Sequence, residues 1–183
     1  MKSVIISIQP YYVFLIIAHV MGWNIPQHKT VEVRKDWPKD KAWTKKAYIY
    51  CSKNKQSFNR IPTEYQPLMA TFVGKVLGEF VCDYLDWYDC SSRAHRKLSE
   101  CGSCLSEEEI RDYCNGQELC TWHISELKVY DVPKTLGDFR GICKGSCLNC
   151  TMVKYLDGNC EERGCYKLIR PPQNWCYGVA TNG

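Results

Sequence analysis

The chain has 183 residues, 45% of them hydrophobic, 24% charged and 13% aromatic, with a formal net charge of +4. Those figures exclude a disordered or fibrous polypeptide and fit one ordinary domain long enough to bury a core. The charge is unevenly placed: Lys29 to Arg60 holds ten Lys and Arg against three acids, a local +7 that leaves −3 for the rest, which suits a phosphate-bearing partner or a solvated basic surface.

The first apolar stretch, Ser3 to Asn24, has two readings. As a secretory signal it is poor, because Gln9-Pro10 interrupts the apolar run and no small-residue cleavage site precedes Trp23. A membrane helix needs about 20 uninterrupted apolar residues, and this run is shorter and contains His19. As folded structure it reads well: a β-branched strand over Val4–Ile8, Pro10 in the first turn of a helix, a buried helix over Tyr11–Met21, and Gly22 as its cap.

Lys29–Lys35 (KTVEVRK) alternates, which predicts a strand with Val31 and Val33 on one face and Thr30, Glu32 and Arg34 on the other. Further strands are expected at Ala47–Ser52, at Phe72–Leu85 with bends at Gly74 and Gly78, and at Cys120–Asp131, stopped by Pro133. Residues 86–104 read as irregular. Ser106 and Glu109 form a capping box, so a short helix runs from there to Asn115-Gly116. A late strand follows Pro171-Pro172. Many short strands with two helices make an α+β chain, a small mixed barrel.

Thirteen cysteines are ambiguous: a disulfide framework if the chain is secreted, metal ligands or buried thiols in a reducing cell. Five fall in 140–169, a segment too poor in large apolar residues to form a core unaided. Cys147-x2-Cys150 followed by Cys160-x4-Cys165 is a good zinc spacing, with Cys143 as an alternate ligand, and a structural zinc would supply the missing folding energy. Cys101-Gly-Ser-Cys104 resembles a redox pair without the strand-to-helix setting such pairs use. Cys51, Cys82 and Cys176 sit on predicted strands as small hydrophobes.

The ordered set SIQP, KTVEVRK, YIYCSK, GKVLGEFVCD, CLSEEEI, WHISELKVYDVPKTLGDF and RPPQNWCY, from residue 3 to 177, resembles the ASCH family, a branch of the PUA-like barrels. It is especially similar to ASCH proteins of gut Firmicutes and their phages, which carry a cysteine-rich insert before the last strand. The resemblance implies a cytoplasmic PUA-like barrel formed by 1–139 and 170–183, flanked by helices, with 140–169 as the insert. It also implies that the KT strand lines a cleft for nucleic acid or a single base. Two departures stand out: Gln9 replaces the family's usual lysine, and Trp23–His28 lengthens the loop before the KT strand.

Lys29, Thr30, Glu32 and Arg34 are therefore the candidate ligand-binding residues. Lys29 and Arg34 suit phosphate, Glu32 an exocyclic amine, and Thr30 either a donor or an acceptor. The alternative is a plain amphipathic strand with surface ion pairs. Trp122 and His123 join the candidates, as a stacking ring and a proton carrier, against the alternative of a core tryptophan with a hydrogen-bonded histidine. Some ASCH proteins are amidohydrolases acting on acetylated cytidine. Their lysine matches Lys29, but their nucleophilic threonine falls at Glu32, which leaves Lys29, Thr30 and Glu32 as catalytic candidates only by substitution. The leading expectation is binding of RNA or a modified base or nucleotide, without a membrane. The alternatives are a hydrolase of a modified nucleoside or a ribonuclease in the same cleft, and a secreted disulfide-rich protein.

Overall fold

The computed structural model describes residues 3–37, 45–142 and 166–181. Its first strand, β1 (Val4–Ile8), coincides with the β-branched run, and Val4, Ile5 and Ile6 are completely buried. Helix α1 (Pro10–Ile17) starts on the proline, whose missing N–H costs nothing in the first turn. It stops before the expected Met21. The chain then leaves in tight turns, Trp23 N–H donating to Ala18 O at 2.9 Å, with Gly22 at φ +66°, where an L side chain is disfavoured. Val13 and Phe14–Ile17 are all buried, so α1 is a core helix rather than a surface one.

The remaining strands are β2 (Val31–Arg34), β3 (Lys45–Cys51), β4 (Val76–Cys82), β5 (Leu85–Tyr88), β6 (Leu119–His123), β7 (Ser125–Lys134), β8 (Phe139–Gly141), β9 (Tyr166–Lys167) and β10 (Trp175–Ala180). They form a seven-stranded mixed sheet in the order β7-β4-β3-β1-β10-β8-β9 and a three-stranded sheet β2-β6-β5. Strand β1 runs parallel to β3 and antiparallel to β10, at the middle of the large sheet. The main core lies between the sheets: Ile6, Ile8, Ile49, Leu77 and Phe80 from the large one meet Cys120 and Trp122 from the small one, with α1 closing an end. The expected α+β class stands, realised among the described residues as two sheets sharing a core and not as one closed barrel.

Several boundaries differ from expectation, each for a local reason. Phe72 ends helix α3 (Gln66–Phe72) instead of opening a strand, and Gly74 at φ +80° turns the chain into β4. Residues 86–104 are ordered: they complete β5 and form helix α4 (Ser92–Glu100), whose N-cap Ser91 accepts from Ala94 N–H. A four-residue helix α2 (Lys55–Phe58) is capped by Asn54. The capping box at Ser106 is present and opens α5 (Glu107–Cys114), which Asn115 ends in the left-handed region. The single strand expected over 120–131 is two strands, β6 and β7, in different sheets. Pro133 does not stop β7, because β7 is the edge of its sheet and needs no donor on its outer side. Among the described residues no helix is long and apolar enough to cross a membrane.

Candidate ligand-binding site on β2

The alternation of KTVEVRK sets the site. All four residues of β2 are buried, but the two faces meet different neighbours. Val33 packs with Leu98, Ile110, Cys114 and Leu119 of the α4–α5 side. Glu32 and Arg34 face the other way and make an ion-paired row with Lys29. Arg34 Nη2 lies 2.8 Å from Glu32 Oε1, and Lys29 Nζ lies 3.5 Å from Glu32 Oε2. All three are more than nine-tenths buried. Charged groups reach such a place only with partners, and these have them.

Each end of the row is tied to backbone. Arg34 Nη1 donates to Asn174 Oδ1 at 2.8 Å and Nη2 to Ser7 O at 2.6 Å. Lys29 Nζ donates to Ser103 O and sits 5.2 Å from the centre of the Tyr12 ring. Burial pushes the Lys29 ammonium below its ordinary range, and the charge of Glu32 opposes that shift without cancelling it. Arg34 Nε is buried with no hydrogen-bond partner among the described residues.

The row is held from behind by the loop between α4 and α5. Thr30 N–H and Val31 N–H both donate to Gly102 O, at 3.0 and 3.3 Å. Gly102 has φ +90°, and a Cβ there would lie 2.2 Å from Thr30 Oγ1. Only glycine fits. From α1, Tyr12 reaches the same region: its hydroxyl donates to Glu109 Oε1 at 3.2 Å, and Arg60 lies 3.3 Å from that carboxylate.

Beside Asn174, residues Asp36, Arg170–Asn174 and Trp175 line an open cleft of about 600 Å³. Trp175 continues an aromatic row, 6.4 Å from Trp122, which is itself 4.5 Å from Trp37.

The structure thus brings Lys29, Glu32 and Arg34 together. Thr30 stands just outside, exposed. Trp122 is wholly buried in the core beneath the row, opposite Glu32 in the β2–β6 register, so it is not a surface stacking platform. His123 is the β6 partner of Val31, so it points to the opposite face of the strand from Glu32 and Trp122; it is half-exposed and paired to Asp83 Oδ1 at 2.7 Å. Among the described residues the basic stretch 29–60 does not form one exposed patch: Lys29, Arg34 and Lys45 are buried, while Lys46 pairs with Glu79 at 2.9 Å.

Tyr12, Ser103, Gly102, Asn174 and Arg170 were not singled out by sequence. They come from three separate segments, and only the Gly in Cys101-Gly-Ser-Cys104 carried any local signal. Cys51 and Cys82 are fully buried small hydrophobes with thiols pushed by burial to about 12, whereas Cys176 is half-buried. Cys143, Cys147, Cys150, Cys160 and Cys165 lie outside the described residues.

No family model matches the chain, and no curated protein matches it. Solved structures do. Crystal structures of two mutants of ZmASCH from Zymomonas mobilis, one Tyr-to-Phe and one Ser-to-Ala, align with TM-scores of 0.54 at 18% identity. The first alignment covers 97% of this chain and 90% of that one; the second covers 96% and 87%.

Proposed function

We propose that this chain, whose fold over nearly its whole length is that of an ASCH domain, binds RNA or a modified base or nucleotide at the β2 row and the adjoining cleft. The observation that carries the reading is the burial of Lys29, Glu32 and Arg34 as one paired row, joined to the cleft by the hydrogen bond from Arg34 to Asn174. Taking three charges out of water costs several kcal/mol per ion, and apolar side chains would serve folding at least as well. Such a row earns its place by presenting fixed donors and acceptors to a ligand.

The row's existing bonds say what kind of ligand. Both Nη atoms of Arg34 are engaged, so it is not a mobile phosphate clamp. A carboxylate has about four lone-pair sites, so Glu32 retains capacity for the exocyclic amine of a base. Exposed Arg170 on the cleft rim is placed for phosphate, and exposed Thr30 supplies a hydroxyl. Phosphate then positions the ligand and the row reads the base. A reducing, cytoplasmic setting, a 140–169 insert set into the 1–139 and 170–183 body, and a structural zinc on Cys147, Cys150, Cys160 and Cys165 belong to the same reading.

One observation favours a second reading, hydrolysis of a modified nucleoside. Lys29 Nζ and Glu32 Oε2 lie 3.5 Å apart, an amine and a carboxylate in position to pass a proton to or from an attacking water.

Calorimetry with a panel of nucleosides and short RNAs, followed by mass analysis of products, tests both. Thr30→Val and Arg170→Ala are exposed changes that leave the fold intact. The reading expects each to weaken binding, and Arg170→Ala to flatten its salt dependence. Unchanged affinity in both variants overturns it, and a changed product mass moves the assignment to the enzyme.

A further inference from the structure

Three potential metal ligands converge away from the β2 row, on the hairpin of α4 and α5. Cys90 precedes the N-cap of α4, His95 lies one turn inside it, and Cys114 is the last residue of α5. Cys90 Sγ, a ring nitrogen of His95 and Cys114 Sγ all lie within 4.8 Å of one another. His95 and Cys114 are buried and Cys90 is half-buried. We propose that Cys90, His95 and Cys114 bind a divalent ion of the zinc class.

The alternative for the two sulfurs is a disulfide, and the structure places them within bonding distance of each other, with Cα atoms 6.2 Å apart. The histidine decides between them. A disulfide needs no imidazole, yet His95 is 6% exposed and holds Nε2 3.7 Å from Cys90 Sγ. A tetrahedral zinc with its usual bond lengths separates a sulfur and a nitrogen ligand by about 3.6 Å, and two sulfurs by about 3.8 Å. The Cys90–His95 separation already matches, and the sulfurs have to part to admit the ion. Coordination releases the two thiol protons to solvent and changes no oxidation state. The fourth position goes to water or to Cys101, which packs half-buried on the same cluster.

The hairpin has reason to need a staple. Its apolar cluster is small, built on Val33, Leu98, Ile110, Cys114 and Leu119. Where a core is that slight, metal binding supplies folding free energy. The hairpin's loop also carries Gly102 O and Ser103 O, which hold Thr30, Val31 and Lys29. A metal here would fix the support of the β2 row, although its binding does not depend on what the row recognises.

The insert could also take zinc, so the test must separate the two. Full-length protein with Cys143→Ser, Cys147→Ser, Cys150→Ser, Cys160→Ser and Cys165→Ser is titrated with Co²⁺ under reductant. The expected result is one equivalent bound, with a thiolate-to-cobalt charge-transfer band, and loss of that equivalent on adding His95→Ala or Cys114→Ser. If the substituted background does not fold, the natural chain serves: zinc should protect Cys90 and Cys114 from alkylation, read by peptide mass mapping. Absence of uptake or protection, uptake undiminished by Cys114→Ser, or a Cys90–Cys114 linked peptide in protein purified with reductant and zinc each overturns the proposal.

Discussion

Strands β1 and β2 are almost equally buried and bury opposite things. In β1, Val4, Ile5 and Ile6 are wholly inside and Ile8 nearly so. In β2, two valines alternate with Glu32 and Arg34, both less than one-tenth exposed. Apolar burial stabilises in rough proportion to area, whereas charge burial roughly breaks even at best. Strand β1 therefore builds the fold, and β2 is carried by it. Substitutions in the two strands should separate these roles.

The largest effect is expected from removing residues 1–22. That deletion takes away the central strand of the seven-stranded sheet, its partners to β3 and β10, and the core helix α1. The shortened chain should show no cooperative thermal transition by circular dichroism. A folded, cooperative product would break the assignment of β1 and revive the reading of this stretch as a removable leader.

Next in size are Ile6→Ala and Glu32→Ala, which pit the strands directly against each other. Truncating a fully buried isoleucine costs about 2–5 kcal/mol through lost transfer energy and a residual cavity. Removing Glu32 leaves Lys29 and Arg34 buried without their carboxylate, a loss of about 3–5 kcal/mol. Urea unfolding should find both severe and similar. Ligand affinity, corrected for the folded fraction, should fall only for Glu32→Ala. An equal loss of affinity in Ile6→Ala would remove the distinction.

Gly102→Ala probes the support behind β2. It forces an alanine to φ +90° and drives its Cβ into Thr30 Oγ1. Backbone strain of this kind costs about 1–3 kcal/mol. The added displacement of Gly102 O should weaken ligand binding as well as stability. Pairing it with Thr30→Gly, which removes the clash but not the strain, should recover part of the loss in a denaturation experiment.

How much of this was legible beforehand divides along the same line. β1, the capping box at Ser106 and the faces of KTVEVRK follow from local pattern, because each depends on residues within one element. The break between β6 and β7 does not: Cys120–Asp131 reads as continuous, and the switch of sheets at Ile124 is a tertiary event, with Ile124 N–H donating to Thr30 O. Helix α4 was missed because Ser92–Glu100 is strongly polar and buries only Ala94, His95 and Leu98. In the site, Lys29, Glu32 and Arg34 share one strand and could be grouped by spacing. Asn174 and Ser103 could not, since nothing local ties residues 140 and 74 positions away to their partners. Trp122 stayed open between ligand and core for a general reason: an aromatic in a short motif has the same signature whether it faces a ligand or the core, and the structure places it in the core.

The smallest expected effect uses a second carboxylate as a control on Glu32. Glu79 on β4 is also ion-paired, to Lys46 at 2.9 Å, and accepts from Tyr130 Oη at 2.6 Å, but its side chain is 20% exposed. Burial pushes its carboxyl upward, yet the hydrogen bonds from Tyr130 and Lys46 and the lysine charge outweigh that, leaving it below its ordinary value. A depressed folded value means that the unfolded chain binds more protons in the interval between the two values. The contribution is thus fully present above the unfolded value and lost as pH falls through the folded one. With Lys46 a third exposed, solvent screening holds the contribution to about 1 kcal/mol or less. Glu79→Gln should therefore lower stability slightly near neutrality, with the difference from the natural chain fading as pH falls through the depressed carboxyl value. Ligand affinity should not change. A loss at pH 7 as large as that of Glu32→Ala would mean that solvent access does not separate the two carboxylates, and burial of charge at β2 would cease to mark it as a site.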